Sequence, residues 1–249
     1  MFENPRIEIC ANSAESAARA QEGGAYRVEL CAGIPEGGTT PSWGEMVMAR
    51  KLLSTTRMNV IIRPRGGDFL YSDAELEIMA EDIEAARRVG ADGVVFGCLT
   101  AKGDVDLRAM RRLMDLTAGM DMTFHRAFDM CRDPHQALEE IIDLGCRRIL
   151  TSGQQPSALE GVGLIRELVE AARGRLTIMP GCGVRPQNIR EIAEKTGAEE
   201  FHFSGRSEVE SGMGYRNPRV SMGGVVKIEE YRRDVTDPRI VAQAIDALR

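Results

Sequence analysis

Short apolar runs recur along the chain at regular intervals, and stretches of helical period separate them. Four of the runs follow a glycine that ends a helix-like segment: "GAYRVEL" from Gly24, "GADGVVF" from Gly90, "GCRRILT" from Gly145 and "GAEEFHF" from Gly197. Four more, "RIEIC", "NVIIR", "MTFHR" and "LTIMP", fall between them. The runs are too short for helices and rich in β-branched residues, which predicts eight strands. The intervening segments carry helix-start signals. Asn12 to Glu15, Ser42 to Glu45, Ser72 to Glu75 and Ser157 to Glu160 each fit a capping box, while Asp133-Pro134 and Asp237-Pro238 fit a cap followed by proline in the first turn. Strand and helix alternating eight times in 249 residues has the size and rhythm of an α/β protein with a single (β/α)₈ TIM barrel spanning residues 1–249. A doubly wound sheet is the competing fold, but no GxGxxG follows the first strand, so no nucleotide cofactor is expected.

Parity within the strands predicts which side chains enter the barrel. Ile7 and Ile9 alternate with Glu8 and Cys10, Val28 and Leu30 with Glu29 and Cys31, and Phe201 and Phe203 with His202 and Ser204. A barrel strand turns its apolar set outward to the helices, so the polar set points inward, and Arg63 and His125 fall on the same inner face. These residues stand at the strand ends that lead into the following loops, the mouth where barrel enzymes keep their chemistry.

Composition narrows the function. With 43% hydrophobic residues the chain can bury a large core, and no apolar run suits a signal peptide or membrane span, so a cytoplasmic protein without a membrane partner is expected. Six cysteines without CxxC pairs read as free thiols in a reducing compartment. A net charge of −6 with no basic stripe argues against nucleic acid as a partner. Neighbouring strands lie about 4.8 Å apart, so inward thiols at corresponding positions of the first two strands can share one soft cation. Soft thiolates select Cu(I) or zinc, and zinc calls for four ligands that only His125 or His202 turning inward would complete, which favours copper. Free cysteines acting purely as packing residues are the competing reading.

Taken together, Glu8, Cys10, Glu29, Cys31, "RPRGGDF" at Arg63–Phe69, "TFHRAFDM" at Thr123–Met130 and "LTSG" at Leu150–Gly153 resemble the CutC family of copper homeostasis proteins. The resemblance extends into "YRNPRVSMGG" at Tyr215–Gly224. It implies the barrel fold independently of periodicity, a cytoplasmic protein of copper tolerance, and Cu(I) as the bound ion, held at Cys10 and Cys31. It implies no catalysed reaction.

A second constellation suits a small anion. Arg63 and Arg65 flank a proline, Arg126 follows His125, and the loops after the seventh and eighth strands contribute Gly181, Gly183 and Ser204. Forked guanidinium donors and glycine amides at that corner of a barrel match phosphate or carboxylate, unless Asp68 and Asp129 hold the arginines in loop salt bridges. If the protein is an enzyme acting on such a ligand, His125 is the expected acid or base, with Glu8 and Glu29 as further candidates. Buried carboxylates need partners, and Arg63 is the expected partner of one of them; His202 is expected as a hydrogen-bonded core residue. The segment 205–224 is the expected surface for a protein partner, and a homodimer or higher homo-oligomer remains open.

Overall fold

In the computed structural model, which describes residues 6–223 and 229–249, strands form where the apolar runs predict them. They are β1 (Arg6–Ala11), β2 (Arg27–Leu30), β3 (Arg57–Ile61), β4 (Gly93–Phe96), β5 (Asp121–Phe124), β6 (Arg148–Thr151), β7 (Thr177–Pro180) and β8 (Glu200–Phe203). Every pairing among them is parallel, and β1 is flanked by β2 on one side and β8 on the other. The order runs β7-β6-β5-β4-β3-β2-β1-β8, so the two ends of the sheet are consecutive strands; they lie side by side and complete the ring. A doubly wound sheet would reverse its order at a switch point. This one does not, and the fold is a (β/α)₈ barrel.

Helices α1 (Ala14–Glu22), α2 (Trp43–Leu52), α3 (Asp73–Arg88), α4 (Leu107–Met114), α5 (Pro134–Asp143), α6 (Val162–Ala172), α7 (Ile189–Thr196) and α8 (Pro238–Leu248) surround the strands. The caps behave differently from one another. Ser72 and Glu75 form the full reciprocal box on α3, and Asp133 and Asp237 cap α5 and α8 ahead of their prolines. On α1 the cap is Ser13 rather than Asn12, whose amide donates instead to the Asp234 carbonyl. Ser157 and Glu160 bond each other one turn early, and α6 starts only after Gly161. Local cap chemistry permits several starts, and packing chooses among them.

Outward-facing Ile7, Ile9, Val28, Leu30, Met58, Val60, Phe96 and Phe201 are fully buried beneath the inner faces of the helices, among them Ala17, Ala20, Met46, Ala49, Met79 and Ile83. Each such side chain contributes about 1.5–3 kcal/mol over an exposed one. The barrel interior is unlike this shell. Its lower half holds Glu8, Arg27, Arg148 and Glu200, all buried. Arg27 on β2 is clamped between Glu8 of β1, paired opposite it, and Glu200 of β8 at 2.8 Å. Arg148 reaches the same Glu200 oxygen from β6 at 3.1 Å. The buried arginine partner expected from Arg63 is therefore Arg27, because it shares the inward parity of β2 and faces Glu8 across the ladder.

The segment 205–224 is not simply a loop. It opens with β9 (Arg206–Glu210), which pairs antiparallel with β10 (Arg232–Thr236) to make a hairpin between β8 and α8. Beyond β9, Met213, Tyr215, Val220 and Met222 are exposed, and Gly224 lies outside the described residues, as do Met1–Pro5. No helix among the described residues is long and apolar enough to cross a membrane.

Removing Arg27 strips Glu8 and Glu200 of the buried cation they share, leaving only His202 on the first and Arg148 and Arg6 on the second, which costs more than the pair contributes when intact. Arg27→Met should therefore lower unfolding stability by about 3–5 kcal/mol in urea titrations. A loss below about 1 kcal/mol would mean that the interior carboxylates are protonated or hydrated rather than clamped.

Candidate functional site

Cys10 leaves the upper half of β1 pointing inward, and the β1–β2 register sets it opposite Glu29 rather than opposite Cys31. The two thiols are thus diagonal neighbours, one pleat apart. Inward side chains converge as the sheet curves, and their Sγ atoms lie 3.3 Å from each other. Cys31 is buried and its Sγ also faces the Ala11 carbonyl at 3.4 Å. One atom from each of Cys10, Glu29 and Cys31 falls within 4.8 Å of the other two, a group with the donors and spacing to hold a metal ion.

His202 organises this group from the neighbouring strand. It pairs with Glu8 in the β1–β8 register, its Nδ1 lies 2.7 Å from Glu8 Oε1, and its Nε2 lies 3.7 Å from Glu29 Oε2. Burial disfavours charge on His202, yet contact with Cys10 and the carboxylates of Glu29 and Glu8 outweighs it and holds the imidazole well above its usual value. Burial also opposes the charge on Glu8, but Arg27 and His202 keep that carboxyl below the ordinary range. Between the thiols the proton is shared unequally. The hydrogen bond from Cys31, helped by His202 and Arg206 against the effect of burial, lowers Cys10, and the same bond together with burial raises Cys31. Glu29 has no arginine partner among the described residues. Burial pushes its carboxyl up against the pull of His202, and charge on Cys10 and Glu8 pushes further, to about 8.

Above the thiols, a cavity of about 290 Å³ opens at the barrel mouth, bounded by Cys10, Glu29, Arg63, His125, Arg126 and His202. His125 is buried, with Phe69 edge-on at 4.9 Å. Burial, with Arg63 and Arg126 nearby, lowers its imidazole to about 3, so it is neutral. Its Nδ1 accepts the Ala127 amide at 3.3 Å, which puts the ring proton on Nε2, a buried atom without a protein partner. In this state His125 is a neutral residue on the cavity wall whose N–H is buried.

The expected anion ligands separate by geometry. Arg63 gives both terminal nitrogens to the carbonyls of Glu36, Gly38 and Gly67, each at 2.8 Å. Arg65 stands on the outer rim, bonded to Glu75 at 2.5 Å and Asp68 at 3.1 Å, and borders neither mouth cavity. Arg126 bonds Asp129 at 2.7 Å and the Ser152 hydroxyl at 2.9 Å while facing the cavity. Asp129 is itself spent on Thr151, Ser152 and Gln154. The Gly181 amide is taken by the Thr151 carbonyl at 2.9 Å, and a Cβ there would meet Leu150 Cδ1 at 2.5 Å, so any larger residue has to displace that side chain. Gly183 and Ser204 line a second cavity of about 550 Å³ that shares Cys10, Arg126 and His202 with the first.

Sequence reasoning missed Arg27, Arg148, Glu200 and Arg206. The first three carried a legible signal, since each lies on the inward parity of its strand in "RVEL", "RILT" and "EFHF". Arg206 carried none, because it lies past the end of β8 and meets Cys10 at 3.5 Å only through the pairing of β8 with β1.

Comparison with known proteins agrees with this architecture. The model of the CutC family matches residues 5–207. A Bacteroides fragilis protein named as family protein CutC is 60% identical over 247 residues, 99% of this chain and 98% of its own. A human protein named copper homeostasis protein cutC homolog is 50% identical over 231 residues, 93% of this chain and 84% of its own. A solved structure of CutC from Streptococcus agalactiae superposes with a TM-score of 0.78 at 36% identity, covering 80% of this chain and 98% of that one.

The raised carboxyl of Glu29 makes a prediction about pH. Between about pH 4.5 and 8 the folded protein retains a proton on Glu29 that the unfolded chain has released, so folding loses stability as pH rises through that window. Glu29→Gln removes the penalty. Its melting temperature should match the wild type near pH 4.5 and exceed it increasingly toward pH 8, in thermal melts of metal-free protein with chelator present. A difference that stays constant with pH would show that this carboxyl does not titrate there.

Proposed function

The chain belongs to the CutC family, and on that premise we propose that it is a cytoplasmic copper homeostasis protein that binds Cu(I) through the thiolates of Cys10 and Cys31. One observation carries the reading: two inward sulfurs 3.3 Å apart, with the Glu29 carboxyl beside them. Metal–thiolate bonds of about 2.3 Å span sulfurs up to about 4.6 Å apart, so a slight opening of this pair admits one ion between them. Soft sulfur donors suit Cu(I) better than a hard cation, and Glu29 and His202 lie close enough to tune the site or add a third donor. Binding displaces the proton shared between the thiols, so affinity should rise with pH. The six cysteines are all free thiols, as a reducing compartment requires.

A second reading, an enzyme acting on a small anionic molecule, is favoured by the cavity over the thiols and by the neutral His125 on its wall, whose Nε2 has no protein partner. In that reading His125 holds a substrate oxygen as a neutral donor. His125→Gln, which keeps a side-chain N–H, should then retain more turnover than His125→Ala in a screen of small phosphorylated and carboxylated metabolites. Equal loss in both variants would instead assign His125 the proton transfer.

For copper the expected outcome is about one equivalent of Cu(I) per chain under anaerobic reducing conditions, from the single paired-thiolate site. Cys31→Ser should abolish tight binding in a competition titration, and Cys182→Ser should not change it. Unchanged affinity in Cys31→Ser would return the pair to the role of packing residues.

A further inference from the structure

The second mouth cavity has a charge pattern that the thiol site does not use. It lies between the loop joining β7 to α7 and the turn joining β8 to β9, and has a volume of about 550 Å³. Three guanidinium groups border it, Arg126, Arg185 and Arg206, and no carboxylate does; Asp129, which pairs with Arg126 at 2.7 Å, lines the adjoining cavity instead. The adjoining barrel-mouth cavity includes Glu29 and Asp129, and the groove on the far side of Arg206 includes Glu208, Glu229 and Asp234. Only this cavity gathers cations without acids among the three. Arg206 is incompletely satisfied: its Nε is buried without a partner, and its Nη2 makes only a 3.5 Å contact with the Cys10 sulfur.

The backbone adds to the same field. Cys182 and Gly183 both take left-handed conformations, at φ of 72° and 73°, and for Cys182 that is a strained choice. The strain is held by the Cys182 thiol donating to the Pro156 carbonyl at 3.1 Å. Among the described residues, the amides of Gly183, Val184 and Gly205 donate to no backbone or side-chain acceptor. Amides without protein acceptors and guanidinium forks around one cavity that no acid lines suit a group that carries two charges and three acceptor oxygens. A carboxylate, with one charge and two oxygens, would leave donors unpaired.

We propose that this cavity binds the phosphate group of a small phosphorylated molecule, whose remainder extends past Cys10 and His202 into the 290 Å³ cavity over the thiols. The shared wall of Cys10, Arg126 and His202 makes the two spaces continuous, and together they have the size of ordinary small-molecule sites. Phe203, Val184 and Ile240 supply the apolar part of the wall. The proposal does not rest on copper binding.

The test uses the full chain, freed of metal by chelator, titrated with inorganic phosphate at constant ionic strength and followed by calorimetry and thermal melts. Saturable binding is expected, weakened roughly tenfold or more by Arg206→Gln, since a charged hydrogen bond is lost, and more modestly by Arg185→Ala. Arg65→Ala, whose guanidinium is engaged by Glu75 and Asp68, should bind phosphate as the wild type does. Glycerol 3-phosphate should bind more tightly than phosphate, and acetate should not saturate. Cys31→Ser should retain phosphate affinity, which separates this site from the copper site. Should Arg206→Gln fail to fold, the exposed Arg185 decides the matter. Absence of saturation, equal affinity across the arginine variants, or acetate binding as tightly as phosphate would each overturn the proposal.

Discussion

The clamp of Arg27 between Glu8 and Glu200 is the interaction on which the barrel and its candidate site both depend. It crosses the ring from β2 through β1 to β8, the part where the ladder returns from the first strand to the last. Charges this deep are stable only as a closed set, so the clamp also dictates where its members' remaining atoms point. One Glu8 oxygen is held by Arg27, which leaves the other to hold His202 at 2.7 Å. His202 then stands between the structural charges below and the thiols above.

Chemical asymmetry in the upper layer follows from this chain of contacts. Cys10 faces cationic neighbours, His202 and Arg206, while Cys31 is buried against a backbone carbonyl. Two identical side chains thus come to hold one proton between them in unequal shares. Glu29, buried and without an arginine partner among the described residues, keeps its proton near neutrality against the pull of His202. The group has the donors and spacing to hold a cation, and His202 links it to the clamped carboxylates beneath.

The arginines divide in the same physical terms. Arg63 and Arg65 are consumed in shaping the loop after β3, one by carbonyls and the other by Glu75 and Asp68. Arg185 and Arg206 border the second cavity with no carboxylate partner among the described residues, and Arg126 borders it while held by Asp129. Residue type alone does not distinguish a loop-building guanidinium from a ligand-facing one, because both satisfy the same need for acceptor oxygens.

Much was legible in the linear order of residues. The eight apolar runs, their glycine stops and the helix caps determine a (β/α)₈ barrel, because strand and helix periods are local properties of the backbone. Parity within the strands likewise determines that Glu8, Cys10, Glu29, Cys31 and His202 enter the barrel, since alternate side chains take opposite faces. What parity leaves open is register, and register comes from the closure of the ring. It sets Cys10 opposite Glu29, turns the thiol pair into diagonal neighbours, and gives Glu8 to Arg27 instead of Arg63. Arg206 depends on the same closure, because the pairing of β8 with β1 brings it against Cys10, 196 positions away. Local periodicity determined which side chains turn inward; only the closed tertiary structure decided which of them meet, because that depends on strand stagger and chain return, which no short window of sequence contains.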